Sequence, residues 1–295
     1  MKKKAFSRLH TLKEYLSAGC LFLAALIWGV AFVAQSKAME YVQPMTFNGT
    51  RGLITAVVLL PAWVLMGKKQ PACGYDRKAL FGGGAVCGLA LFAASSLQQI
   101  ALVDTSAGKS GFLTALYMIF VPLLGIFTGK RITMKVWLAV VLACAGSYLL
   151  CGGGALALTR GELCLIGSAF CYALQIMMVD RYVDRTNAML LCCVQFTVSG
   201  VLSTLIAFTW ENPSLEGLLQ AIVPLLFAAI FSGAVAFTLQ IVGQRNTPPA
   251  VASLLMSLES VFAAISGAIL LHQHLTGMEL IGSALTFAAV LLTQL

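Results

Sequence analysis

Ten apolar runs fall near residues 16–37, 44–66, 79–102, 107–127, 134–151, 162–180, 188–210, 218–242, 248–271 and 277–295, and they leave this chain few folds to choose from. A helix rises about 1.5 Å per residue, so ~20 residues cross a hydrocarbon core ~30 Å thick. Lipid offers no hydrogen bonds, so a run of that length must satisfy its backbone within itself, as a helix does. The expected fold class is all-α and integral to the membrane, with ten transmembrane helices and the lipid bilayer as an obligate partner. A mean hydropathy of +0.91 with only 10% charged residues excludes an ordinary soluble core. The longest connection, Gly67 to Lys78, is too short to hold an extramembrane domain.

The charges give an orientation. Of 19 Lys and Arg residues, 15 lie on the amino-terminal side of the runs. Lys37, Lys109 and Arg160 are on the other side, and Arg51 is inside a run. Such an excess predicts a multi-pass protein of the cell membrane with both termini in the cytoplasm. The formal charge of +8 therefore reports topology and no nucleic-acid partner. Met1 to Lys4 followed by an apolar run has the look of a signal peptide, but the run is too long for one. It also belongs to a repeat: Ile27-Trp28-Gly29 through Lys37 aligns with Cys171-Tyr172-Ala173 through Arg181.

Other pairs lie 142 positions apart. Ser96-Leu97-Gln98 matches Thr238-Leu239-Gln240, Asp104-Thr105 matches Asn246-Thr247, Phe120 matches Phe262 and Gly125 matches Gly267. Glu259 falls on Tyr117. The chain reads as two halves, 1–151 and 152–295, of five runs each. Five is odd, so the second half starts on the opposite side and the expected architecture is two inverted five-helix repeats. Secondary transporters are commonly built this way, with the solute site between the repeats near the midplane.

Glu259 is the one charge in the apolar run from Thr247 to Leu271, close to its middle. A charge at that depth costs ~3 kcal/mol on insertion scales and turns towards protein or water. It could exchange a proton, hold a substrate amine, or pair with Arg51 or Ser257. Arg51, about seven residues into the second run, could snorkel outwards, bind a carboxylate or pair with an acid. Gln98 and Gln240, extended by Gln99 and Gln244, could line a binding wall or tie helices together. Trp28, Phe32, Tyr117, Tyr172 and Phe262 lie near mid-run, where aromatics either pack or wall a cavity, whereas Trp63, Trp137 and Trp210 read as interface anchors.

Gly82-Gly83-Gly84, Gly88, Gly125 and Gly129 permit close helix contact, Pro122 removes one backbone bond, and Pro248-Pro249 suit a helix start. His272 and His274 read as loop histidines. Nine scattered cysteines read as free thiols. The sequence lacks Walker, GxSxG and HExxH motifs, so neither enzymatic activity nor a cofactor is expected.

Trp28-Gly29, Phe47 with Arg51, Gln98 through Leu102 running into Thr105 through Thr114, Tyr117 through Leu123, Leu258 through Ala263 and Leu280-Ile281-Gly282 together resemble the EamA group of the drug/metabolite transporter superfamily. The resemblance spans nearly the whole chain. It departs at Gly129-Lys130 and His272-Gln273, where the family often has Gly-Glu, and at Ser260, where Pro is usual. It implies movement of small metabolites such as amino acids, mainly export. It also implies a central cavity that takes in Trp28, Gln98, Tyr117, Tyr172, Gln175, Gln240 and Glu259. The resulting expectation is a secondary transporter working by alternating access, with proton coupling through Glu259. The alternatives are a flippase for a lipid-linked compound and a non-transporting scaffold subunit. A homo-oligomer is compatible with either.

Overall fold

The structure, a computed structural model, describes residues 2–67, 76–150, 159–270 and 276–294. The helices are α1 Lys2–Ala38, α2 Pro44–Gly67, α3 Arg77–Ala101, α4 Ala107–Ala115, α5 Tyr117–Phe127, α6 Met134–Leu150 and α7 Arg160–Tyr182. After a 3₁₀ turn at Val183–Arg185 come α8 Ala188–Trp210, α9 Leu215–Gln220 and α10 Ile222–Phe227. A π-helical stretch, Ala228–Ala236, leads into α11 Phe237–Gln244, α12 Pro249–Met256, α13 Glu259–Leu270 and α14 Gly277–Gln294. No strand occurs among the described residues.

Eight of the expected ten runs form stretches long and apolar enough to cross a membrane: Lys13–Ala38, Pro44–Leu65, Arg77–Ala101, Ala107–Phe127, Arg160–Arg185, Ala188–Trp210, Ile222–Gln244 and Pro249–Leu270. The other two, Met134–Leu150 and Gly277–Thr293, are shorter. The 17 described residues of α6 cover about 25 Å. The eighth run begins later than its hydropathy suggests, because Leu215–Gln220 folds as a separate short helix capped by Ser214. The expected boundary between halves at 151 and 152 lies outside the described residues, as do His272, Gln273 and His274.

Glycines set the tightest crossings. A Cβ on Gly52 of α2 would stand 2.8 Å from Gly200 Cα of α8, and one on Gly282 of α14 would stand 2.5 Å from the Gly146 carbonyl of α6. Backbones this close exclude any larger side chain. Of the run Gly82-Gly83-Gly84, Gly83 packs under Tyr182 and Gly84 under Val194, while Gly82 meets nothing within 4 Å. Gly125 has only ordinary contacts.

Helix α7 runs antiparallel to α3: its start, at Gly161, meets Ala101 and Thr105, and its end, at Tyr182, meets Gly83. In the same way the end of α11 meets the start of α1, through Gly243 against Ser17 and Leu21. The main contacts between halves come in matched sets. α1 packs on α11 and α13 as α7 packs on α3 and α5, and the α2–α8 and α6–α14 pairs each join one run to its repeat partner. Polar ties fix the ends. The Glu211 carboxylate accepts from Met45 N, Thr46 N and Thr46 Oγ1 at 2.7 to 2.8 Å, filling the donors left open at the start of α2. Lys109 pairs with Glu162 at the starts of α4 and α7, and Lys130, just past the end of α5, pairs with Asp180 near the end of α7 at 2.5 Å.

Candidate functional site

Two helices tighten in mid-run, at positions that correspond in the repeat. Between α4 and α5 the Leu116 amide donates to the Leu113 carbonyl, and between α12 and α13 the Leu258 amide donates to the Leu255 carbonyl, both in the 3₁₀ pattern. Pro122 follows the first of these turns, but the second has no proline near it. Each tight turn starts a new helix on a polar residue, Tyr117 in α5 and Glu259 in α13. Both side chains enter the same cavity.

All eight side chains singled out from the sequence line this chamber: Trp28, Arg51, Gln98, Tyr117, Tyr172, Gln175, Gln240 and Glu259. Glu259 is 4% exposed and Arg51 6%, so the acid is turned away from lipid and the guanidinium does not snorkel. Arg51 Nη1 donates instead to Gln35 Oε1 at 2.6 Å, and its guanidinium lies 5.6 Å from the centre of the Phe47 ring. Among the described residues neither Arg51 nor Glu259 is in a salt bridge, which removes the direct pair weighed from the sequence. Ser257 Oγ donates to the Leu254 carbonyl of its own helix. The Tyr117 hydroxyl faces the Glu259 carboxylate and is placed to donate to it, while Glu259 Oε1 has no other hydrogen-bond partner.

Two polar networks line the chamber. The first joins α1, α2 and α3: Gln35 accepts from Arg51, and Gln99 Nε2 donates to the Gln35 carbonyl at 3.4 Å. The second joins α7, α8 and α11. Gln240 Nε2 donates to Gln175 Oε1 and Gln244 Oε1, both at 3.0 Å; Gln175 Nε2 donates to Gln195 Oε1 at 3.1 Å, and Gln244 Nε2 to the Ile176 carbonyl at 3.0 Å. The antiparallel crossing of α3 and α7 sets these networks at opposite ends of the chamber. Its walls are tied by two matching bonds. Trp28 Nε1 donates to the Ser232 carbonyl at 3.3 Å, and its repeat partner Tyr172 donates through its hydroxyl to Gln98 Oε1 at 3.2 Å. Gln98 Nε2 in turn donates to Thr114 Oγ1.

Sequence reasoning missed Gln35, Thr114, Ile176, Ser232, Phe237 and Met256 as lining residues. Gln35 alone left a signal, an amide inside an apolar run, masked by its closeness to Lys37. Ser232 is exposed to the chamber by the π-helical stretch, whose wider turn is a local departure common at functional sites. The chamber gives about 40 Å³ to the centres of water molecules, room for roughly three of them at ~10–15 Å³ each. A metabolite of ten or more heavy atoms needs the chamber to widen.

The sequence profile of the EamA-like transporter family matches this chain twice, over residues 16–152 and 159–295. The chain belongs to that family. Among its relatives are an uncharacterized transporter of Archaeoglobus fulgidus, 29% identical over 93% of this chain and 84% of the relative, and the uncharacterized transporter YvbV of Bacillus subtilis, 27% identical over 97% and 94%. The uncharacterized inner membrane transporter YedA of Escherichia coli is 24% identical over 93% and 90%. A solved crystal structure superposes with a TM-score of 0.77 at 16% identity, covering 94% of this chain and 96% of the other, which establishes likeness of fold. This EamA-like protein is therefore a multi-pass membrane protein of a transporter family. Ser260 Oγ donates to the Ser257 carbonyl at 2.9 Å beside the 3₁₀ turn.

Proposed function

We propose that this chain is a secondary transporter that exports a small amphipathic metabolite, with Glu259 exchanging a proton against the solute. The observation that carries the reading is a buried Glu259 with no salt bridge among the described residues, facing its repeat partner Tyr117 in a chamber built from both halves. An ionisable group in the membrane interior is costly unless function retains it. The antiparallel crossings of α3 with α7 and of α1 with α11 support inverted repeats, and the loop charges support cytoplasmic termini.

Alternating access then follows from the two end networks. Opening the first requires Gln35 and Gln99 to part; opening the second requires the glutamine relay to part. Symmetry makes the two changes alike. Ion pairs at both ends of the α4–α5 and α7 pair favour their motion as one body. The 3₁₀ turns at Leu116 and Leu258 are natural hinges, since their backbone bonds are already shifted from the α pattern.

The test is counterflow of amino acids and amines in proteoliposomes across a pH series. The wild type should exchange at least one solute with a pH-dependent rate, and Glu259→Gln should lose that dependence. An unchanged pH profile in the variant would end the proton mechanism.

A further inference from the structure

We infer that the group recognised in the chamber is a primary ammonium, seated on Glu259, Gln240 and Tyr117, with the apolar remainder of the solute against Trp28, Phe32 and Phe237. The inference rests on the transporter reading above and narrows its solute class. It begins from the Ile176 carbonyl, which can only accept. Gln244 must therefore turn its NH₂ towards that carbonyl, and its own oxygen then accepts from Gln240. The sense of the Gln240 amide is fixed in turn: its NH₂ serves both Gln244 and Gln175, and its Oε1 is left buried without a donor.

Glu259 Oε1 is likewise without a donor, and the Tyr117 hydroxyl, placed to donate to the Glu259 carboxylate, keeps its oxygen lone pairs free to accept; all three groups belong to the chamber wall. The unmet need is thus for donors. The positive group already present does not meet it, because Arg51 is held by Gln35, Phe47 and Tyr172. Buried acceptors left without donors are expensive, so a ligand that supplies them gains what the empty site lacks. The three acceptors stand on α13, α11 and α5, three different sides of the chamber. A primary ammonium offers three diverging N–H bonds and a positive charge opposite Glu259, whereas a quaternary ammonium offers the charge with no donor. The small volume suits the head group, and the aromatic walls suit an apolar tail.

The test is a binding series on the purified wild-type protein with 2-phenylethylamine, its N,N,N-trimethyl derivative and 3-phenylpropionate, read by calorimetry. The amine should bind, and the other two should bind at least about tenfold more weakly. Gln240→Leu and Glu259→Gln should each weaken the amine about tenfold without strengthening the trimethyl derivative. Equal affinity for amine and trimethyl derivative, or preference for the carboxylate, would overturn the inference, and neither result depends on a variant folding. Counterflow of some other solute by protein that ignores the amine would overturn the ammonium site and leave transport standing. Amine binding with no flux of any solute would do the reverse.

Discussion

Replacing Gly29 by alanine should destabilise the protein, whereas the same change at Gly19, ten residues earlier in α1, should not. A Cβ on Gly29 would lie 2.3 Å from Phe262 Cβ, 2.7 Å from the Phe262 carbonyl carbon and 2.8 Å from Ala263 N. Carbon contacts settle at ~3.5–4.0 Å, so α1 and α13 must separate by about 1 Å. Two of the three obstructing atoms are backbone, which cannot rotate away. Overpacking of this kind costs about 1–3 kcal/mol, and the helical preference of Ala over Gly returns about 0.5–1 kcal/mol, leaving a net loss of about 0–2.5 kcal/mol, centred on ~1 kcal/mol. Gly19 has nothing within 4 Å, so only the gain applies there. Reversible unfolding in mixed detergent micelles measures both. Solute affinity should fall with Gly29→Ala as well, because Trp28 is its neighbour and Glu259 lies one turn before Phe262. A Gly29→Ala protein as stable as Gly19→Ala would refute the packing argument.

Glu211→Ala strips three donors of their acceptor at the start of α2 and should cost about 1–2 kcal/mol in the same unfolding assay. Lys109→Met should lower the melting temperature and make it less sensitive to salt, with Lys109→Arg restoring both, since Glu162 then regains a counter-ion. Gln244→Leu leaves the Ile176 carbonyl without its donor and frees the Gln240 amide to turn over. Titration of the transported solute should show affinity down about threefold to tenfold, alongside a stability loss of about 1–3 kcal/mol.

Much of the architecture was legible because lipid imposes it. Runs of apolar residues can be helices and little else, so most spans were placed to within a few residues, and a single charge in the ninth run pointed at the chamber. The repeat added more: matching Gln98 with Gln240 and Tyr117 with Glu259 found four wall residues in one step. What escaped was whatever depends on three-dimensional company. Gln35 lies so near Lys37 that it reads as an interfacial residue, and its bond to Arg51 is invisible without α2 beside α1. The same blindness left snorkelling open for Arg51. Thr114 and Ser232 are small polar residues of a kind that usually satisfy themselves on their own helix. The 3₁₀ turn before Glu259 carries no proline, and the π-helical stretch has no sequence mark at all.

The central claim is that Glu259 exchanges a proton as solute crosses. Proteoliposomes loaded with a pH-sensitive dye and diluted into transported solute report it directly. The account predicts an internal pH change that follows solute movement in the wild type and disappears in Glu259→Gln while solute still binds. Solute flux with no pH change in the wild type, or an equal pH change in the variant, would contradict it.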